Sequence, residues 1–166
     1  MEIKRAKSAD LVEILFLLKV CISDMNEKGL KHWNSTFPGI DQIKKDLMEG
    51  NLYLAKDNGV CKGMVTLNDV EPDEYKAMKL NPVGVKPLFL QRLAVHPSWQ
   101  GQGIAGELVD FAQKMARDKG FTCIRTDVHQ SCTDTIELCK NLDFNEIGSF
   151  QSEYQRIPYL CYEKQF

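Results

Sequence analysis

No run of apolar residues in this chain approaches a membrane span. The longest uninterrupted stretch is Ile14–Leu18, against the ~20 residues that a crossing helix needs. Net charge is also scarce. Lys and Arg total 21 against 23 acids, a balance of −2, which gives no global attraction to nucleic acid. The start, Met1-Glu2-Ile3-Lys4-Arg5, leads into an acid-containing amphipathic segment without a small-residue cleavage pattern, so no export signal is expected. The six cysteines stand at 21, 61, 123, 132, 139 and 161 and include no Cys-x-x-Cys pair. Reduced, partly buried thiols in a cytoplasmic protein are the expectation. His129, Cys132 and Cys139 lie close in sequence, but a fourth ligand at structural-zinc spacing is not evident, and no metal is expected. The chain also lacks a linker, a repeat or a low-complexity tract. Its 166 residues, 43% hydrophobic and 27% charged, are read as a single domain over 1–166.

What is present alternates between strand and helix patterns. A strand over Glu2–Ala6 leads to a helix with Ser8 as N-cap. Leu11, Ile14, Leu15, Leu18, Ile22 and Met25 define its buried face at helical spacing. A second helix over Ile40–Glu49 turns Ile43, Leu47 and Met48 inward. Leu52–Lys56 and Val60–Asn68 flank Asp57-Asn58-Gly59, a hairpin signal. The acidic segment Asp69–Lys79 is partly helical, and Asn81-Pro82-Val83-Gly84 is a loop. Pro87–Val95 is apolar enough for a central strand. A helix over Gly103–Lys119, a strand over Thr122–Val128, a helix over Thr133–Asn141 and strands near Phe144–Gln151 and Pro158–Glu163 complete the chain. The order implies a mixed α/β sheet with an antiparallel start and one parallel crossover.

The informative stretch is Leu93-Ala94-Val95-His96-Pro97-Ser98-Trp99-Gln100-Gly101-Gln102-Gly103-Ile104-Ala105. A strand enters a glycine-containing turn that opens directly into a helix. Glycines let backbone N–H groups approach an oxyanion, and the helix start adds unpaired donors and partial positive charge. A tight turn alone would use the same glycines. Gly101-Gln102-Gly103-Ile104-Ala105-Gly106 also spells the dinucleotide fingerprint, with Asp127 about twenty residues on where a ribose-binding acid would sit. An oxidoreductase is thus one alternative. Against it stand the long lead from strand to first glycine, the single parallel crossover and the short remainder after Asp127.

The same stretch resembles the acyl-CoA-binding segment of the GNAT superfamily of N-acetyltransferases, Gln/Arg-x-x-Gly-x-Gly/Ala, matched here by Gln100, Gly103 and Ala105. "LCKNLDF" at 138–144 is similar to the family's Leu-Tyr-x-Lys-x-Gly-Phe, and the closing "YLCYEK" and the element order also fit. The resemblance implies a mixed, mostly antiparallel sheet, splayed between its fourth and fifth strands and flanked by helices. It implies acetyl transfer from acetyl-CoA, as co-substrate, to a primary amine by direct attack on the thioester. Leu93, Ala94 and Val95 would contact the pantetheine arm through their backbone. Gln100, Gly101, Gln102, Gly103, Ile104 and Ala105 would hold the pyrophosphate, with Cys132 and Thr135 completing the cofactor set. Cys139 stands where the family often has an acidic tyrosine, Cys132 where it has an asparagine, and Asp143 where it has a glycine. Cys139 is thus either the acid or a packing residue, and Asp127 or His129 is the candidate base or relay. Glu71, Asp73 and Glu74 are either loop acids over the cleft or solvated surface. Trp33 and Phe37, with Tyr75 from the acidic insert, would rim the acceptor pocket, unless the first two seal the first helix. The expected acceptor is a small-molecule or peptide amine, without nucleic-acid or membrane partners, and a homodimer is compatible with the resemblance. The departures at 132 and 139 also keep a non-catalytic acyl-CoA-binding module as an alternative.

Overall fold

The computed structural model describes residues 1–78, 80, 83–152 and 156–166. The expected end of the acidic segment at Lys79 and the Asn81-Pro82 half of the expected loop lie outside the described residues. The elements are β1 (Glu2–Arg5), α1 (Leu11–Glu27), α2 (Ile40–Met48), β2 (Leu52–Asp57), β3 (Val60–Asn68), α3 (Asp73–Met78), β4 (Pro87–Val95), α4 (Ile104–Asp118), β5 (Cys123–His129), α5 (Thr133–Asn141), β6 (Asn145–Phe150) and β7 (Tyr159–Gln165). One sheet runs in the order β1-β2-β3-β4-β5-β7-β6. It is antiparallel across β1–β2–β3 and β5–β7–β6. The parallel ladder of β4 and β5 joins Pro87–Phe89 to Cys123–Arg125, a short pairing in keeping with the expected splay. The mixed, mostly antiparallel sheet read from the sequence is therefore present, and it is not the parallel doubly wound sheet of a dinucleotide fold. No helix among the described residues is long and apolar enough to cross a membrane.

The chain divides into two compact units. Met1–Leu67 with Arg92–Phe111 forms the first, and Asn68–Gln91 with Ala112–Phe166 the second. In the first unit, Asp57↔Val60 pairing leaves Asn58-Gly59 as a two-residue hairpin turn, as the motif foretold. Its core gathers Ile14, Leu17, Leu18 and Cys21 of α1 with Ile43, Leu52, Leu54 and Met64. Two local expectations are corrected here. The α1 chain enters through a short 3-10 turn at Ser8–Asp10, and the Asp10 carboxylate, not Ser8, accepts the Lys7 N–H at 2.7 Å. The α1 helix is apolar nearly all round, so its pattern does not single out one stripe. The fully buried face includes Leu17 and Cys21, whereas Leu15 and Ile22 are half-buried.

The α2 face is rotated relative to the expectation. Met48 is 86% exposed, and Asp46 is buried beside Ile43. The reason is an ion pair. Arg92 on β4 donates from Nε to Asp46 Oδ2 at 2.7 Å and from its terminal nitrogen to Oδ1 at 2.9 Å. Thr66 Oγ1 on β3 donates to Asp46 Oδ2 at 3.1 Å. The side chains of Arg92 and Asp46 are 10% and 2% exposed, so each charge depends on the other. Arg92 also has φ 51°, a left-handed conformation that interrupts the regular pleat of β4 and is strained for a residue with a Cβ.

The second unit closes around Tyr75, Phe89 and Cys161, with Met78, Leu80, Ile147 and Phe150 packed against them. Removing one partner of a buried pair strands the other charge. Asp46→Ala or Arg92→Met is expected to lower unfolding stability by about 3–5 kcal/mol. The double variant Asp46→Leu/Arg92→Met is expected to lose less than either single change. Equal losses in urea titrations of all three would show that the pair is not coupled.

Candidate functional site

In the first unit β4 ends at Val95, and the chain turns through a 3-10 segment at Pro97–Trp99. Gly101 and Gly103 then take φ 74° and 83°, values open to glycine and strained for other residues. A Cβ at either position would meet nothing within 4 Å, so conformation rather than crowding demands glycine, and the surface above the turn is open. The first hydrogen bond into α4 runs from the Glu107 N–H to the Gly103 carbonyl at 3.0 Å. The N–H groups of Ile104, Ala105 and Gly106 precede it, and among the described residues none accepts from those of Gly101, Gln102 or Gly103. A row of backbone donors at a helix start is a site for an anion of phosphate type.

The turn is braced by neighbouring side chains. Gln100 donates from Nε2 to the Val95 carbonyl at 3.1 Å, and the Cys21 thiol lies 3.5 Å from the same oxygen. The Lys28 ammonium, at the end of α1, donates to Gln100 Oε1 at 3.2 Å. A Cβ on Gly63 would lie 2.9 Å from the Ala94 carbonyl and 3.3 Å from Ile104 Cγ2. Only glycine at 63 lets β3 sit this close to β4 and the start of α4. Leu93 and Val95 are half-buried and Ala94 is buried, while Gln100, Gly101, Gln102 and Gly103 are exposed and Ile104 is buried. Also in this unit, Trp33 packs against the core, whereas Phe37 is 48% exposed.

The second unit holds the remaining candidates. Asp127 is half-buried on β5, opposite Cys161 of β7. Tyr75, expected at an acceptor rim, is instead 0% exposed. The six-residue helix α3 turns it inward, edge-on to Phe89 at 5.2 Å, with its hydroxyl 3.5 Å from Asp127 Oδ1. Burial, and then the Asp127 charge, hold that hydroxyl far above the usual tyrosine pKa. His129 is buried with Nδ1 2.6 Å from Ser131 Oγ. Of the loop acids, Glu71 reaches to 4.0 Å from Arg125, Asp73 pairs with Lys76 at 2.7 Å and Glu74 is exposed. Arg125 itself is buried against Glu163 at 2.7 Å. Burial works against the Glu163 carboxylate, but hydrogen bonds from Gln165 and Arg125 outweigh it and keep its pKa below the usual range.

Cys132 is the half-buried N-cap of α5, and its thiol is pushed up to about 11 by burial and by Asp134. Thr135 lies half-buried one turn on. Cys139 is buried, and burial alone pushes its thiol up to about 11.

A family profile described as "Acetyltransferase (GNAT) family" matches residues 18–144. The chain belongs to the GNAT acetyltransferase family. N-acetyltransferase family 8 member 2 of Rattus norvegicus is 31% identical over 101 residues, covering 61% of this chain and 41% of that protein. The chain thus spans less than half of that relative's length. A GNAT-family acetyltransferase structure from Streptococcus agalactiae superposes with a TM-score of 0.83 at 17% identity, over 99% of this chain and 95% of its own. The PaiA N-acetyltransferase of Thermoplasma acidophilum, solved with coenzyme A, gives a TM-score of 0.79 at 14% identity, over 99% of this chain and 98% of its own.

Set against the GNAT pattern, sequence reasoning found the glycine turn but missed the Asp46–Arg92 pair, Gly63 and Lys28. The first left a trace, an arginine inside an apolar strand and an acid on an apolar helix face. Gly63 left only a glycine within a strand pattern, and Lys28 left none. The departure at Asp143 has a plain local consequence. Asp143 takes φ 60°, a left-handed conformation that a glycine adopts without strain. Asp143→Gly is expected to raise stability by up to about 1 kcal/mol, measured by chemical denaturation. A loss of stability would mean that the Asp143 side chain does more than occupy the turn.

Proposed function

We propose that this chain transfers an acetyl group from acetyl-CoA to a primary amine by direct attack on the thioester. The observation that carries the reading is the row of backbone N–H groups at Gly101–Gly106, opening from β4 into α4, where among the described residues nothing lies within 4 Å of a Cβ added at Gly101, Gly103 or Gly106. A diphosphate fits such donors, because it offers several oxygens to a helix start of positive polarity. Membership of the GNAT family and the coenzyme A complex of a protein with this fold support the same carrier.

On this reading, Gln100 to Ala105 bind the pyrophosphate, with Cys132 and Thr135 as further carrier contacts, and the backbone of Leu93 to Val95 orients the pantetheine arm. A backbone N–H near Val95 stabilises the thioester oxygen as charge develops on it. The neutral amine nitrogen forms the new C–N bond, the C–S bond breaks, and the sulfur leaves as a thiolate. The amine's proton passes to Asp127 directly or through water, with His129 as the other relay. Cys139 is poorly suited to return a proton to the sulfur. A thiol held at about 11 gives its proton only uphill to a leaving thiolate of ordinary pKa, about 8.5. We therefore assign Cys139 to packing and the sulfur's proton to solvent, which leaves positioning as the main source of catalysis. The exposed Phe37 ring is the acceptor-side candidate, suited to the hydrocarbon or cationic part of a small-molecule or peptide amine.

The burial of Cys139 also favours a second reading, a module that binds acyl-CoA without transferring the acyl group. Thermal unfolding with acetyl-CoA, CoA and NADH in parallel, followed by an amine panel scored for CoA release, separates the two. A ligand at a hundred times its dissociation constant adds about 2.7 kcal/mol of apparent stability. The expected result is a raised midpoint with acetyl-CoA and CoA, none with NADH, and CoA release with at least one amine. A shift without release from any amine would favour the binding module. No shift with either CoA species would overturn the carrier assignment.

A further inference from the structure

The turn proposed to hold a diphosphate carries no cation of its own. His96 to Gly106 contains no Lys, Arg, Asp or Glu. The nearest charge in the sequence that follows is Glu107, exposed in the first turn of α4 and of the wrong sign for an anion. Backbone donors and the helix start supply only partial charge, whereas a diphosphate carries full negative charges and is commonly met by Lys or Arg.

Two lysines of the first unit approach the turn. The Lys62 ammonium lies 5.5 Å from the centre of the Trp99 ring and is held by Asp57 at 2.8 Å. Lys28 reaches the turn itself, donating to Gln100 Oε1. Gln100 is fixed by its other end to the Val95 carbonyl, so its amide presents oxygen rather than nitrogen to Lys28. Asp24, one helical turn back, takes a second Lys28 donor at 2.7 Å. An ammonium has three donors, and among the described residues nothing takes the third. The Lys28 side chain is half exposed, so its ammonium is reachable from solvent.

We propose that Lys28, at the C-terminal cap of α1 and outside the family's loop motif, supplies the positive charge that holds the diphosphate of the acyl carrier at the Gln100–Gly106 turn. The proposal rests on the carrier assignment made above. It gives Gln100 a distinct part: its side chain ties the lysine to the turn, and the lysine meets the phosphate. Asp24 holds the ammonium near the turn until an anion competes for it.

The test is titration calorimetry of the intact chain and its Lys28→Ala and Lys28→Arg variants with CoA and with pantetheine, which keeps the thiol arm and lacks the diphosphate. Lys28→Ala is expected to weaken CoA binding by about tenfold, the effect of one charge-assisted contact of about 1.4 kcal/mol, and to leave pantetheine binding and the melting midpoint unchanged. Lys28→Arg should recover most of the loss, and the advantage of wild type over Lys28→Ala should shrink as salt is raised. Unchanged CoA binding in Lys28→Ala, with wild type still preferring CoA over pantetheine, would overturn the proposal and leave the carrier assignment standing. Equal weakening for CoA and pantetheine would also overturn it, by giving Lys28 a merely structural part. Failure of wild type to bind CoA at all would overturn the carrier assignment and the proposal with it.

Discussion

The first unit is organised by one buried ion pair. Arg92 and Asp46 meet through two short hydrogen bonds, and Thr66 adds a third partner. The pair fixes the rotation of α2, because Asp46 has to face inward and Met48 is turned to solvent. It also holds Arg92 in a backbone conformation that an arginine does not favour. Charges out of water are costly unless satisfied, and each member of this pair satisfies the other. Arg92 immediately precedes Leu93–Val95, the segment proposed to orient the pantetheine arm.

Much of the architecture was legible from local pattern. The hairpin at Asn58-Gly59, the apolar β4 and the glycine-to-helix corner follow from turn chemistry and short-range periodicity, and the structure has them at nearly the expected bounds. Local pattern leaves out the partner of an inward charge, and the apolar residues of α2 alone would turn Met48 inward. Asp46 is inward because a residue 46 positions away supplies the opposite charge, which no local window contains. Tyr75 is a similar case. An aromatic among acids looks like a surface residue, yet α3 buries it against Phe89 and next to Asp127.

The cysteines sharpen the chemical account. Burial raises the thiols at 132 and 139 above their ordinary range, so both are neutral, poor proton donors near neutral pH. The residue aligned with the family's tyrosine is thus a buried thiol. On the proposed function, proton transfer then falls to solvent and to the half-buried Asp127, while orientation of the thioester falls to backbone donors. Such a division is self-consistent, since acyl transfer to a neutral amine depends strongly on placement of the reacting groups.

The central claim is that backbone N–H groups of the turn into α4 hold the carrier's phosphates. Amide chemical shifts of nitrogen-15-labelled protein, followed during titration with CoA, test it most directly. The account predicts that the amide resonances of Gly101 through Gly106 move furthest and saturate together, as their protons gain phosphate acceptors. Saturable binding that leaves those six resonances in place, with the largest changes elsewhere, would contradict it.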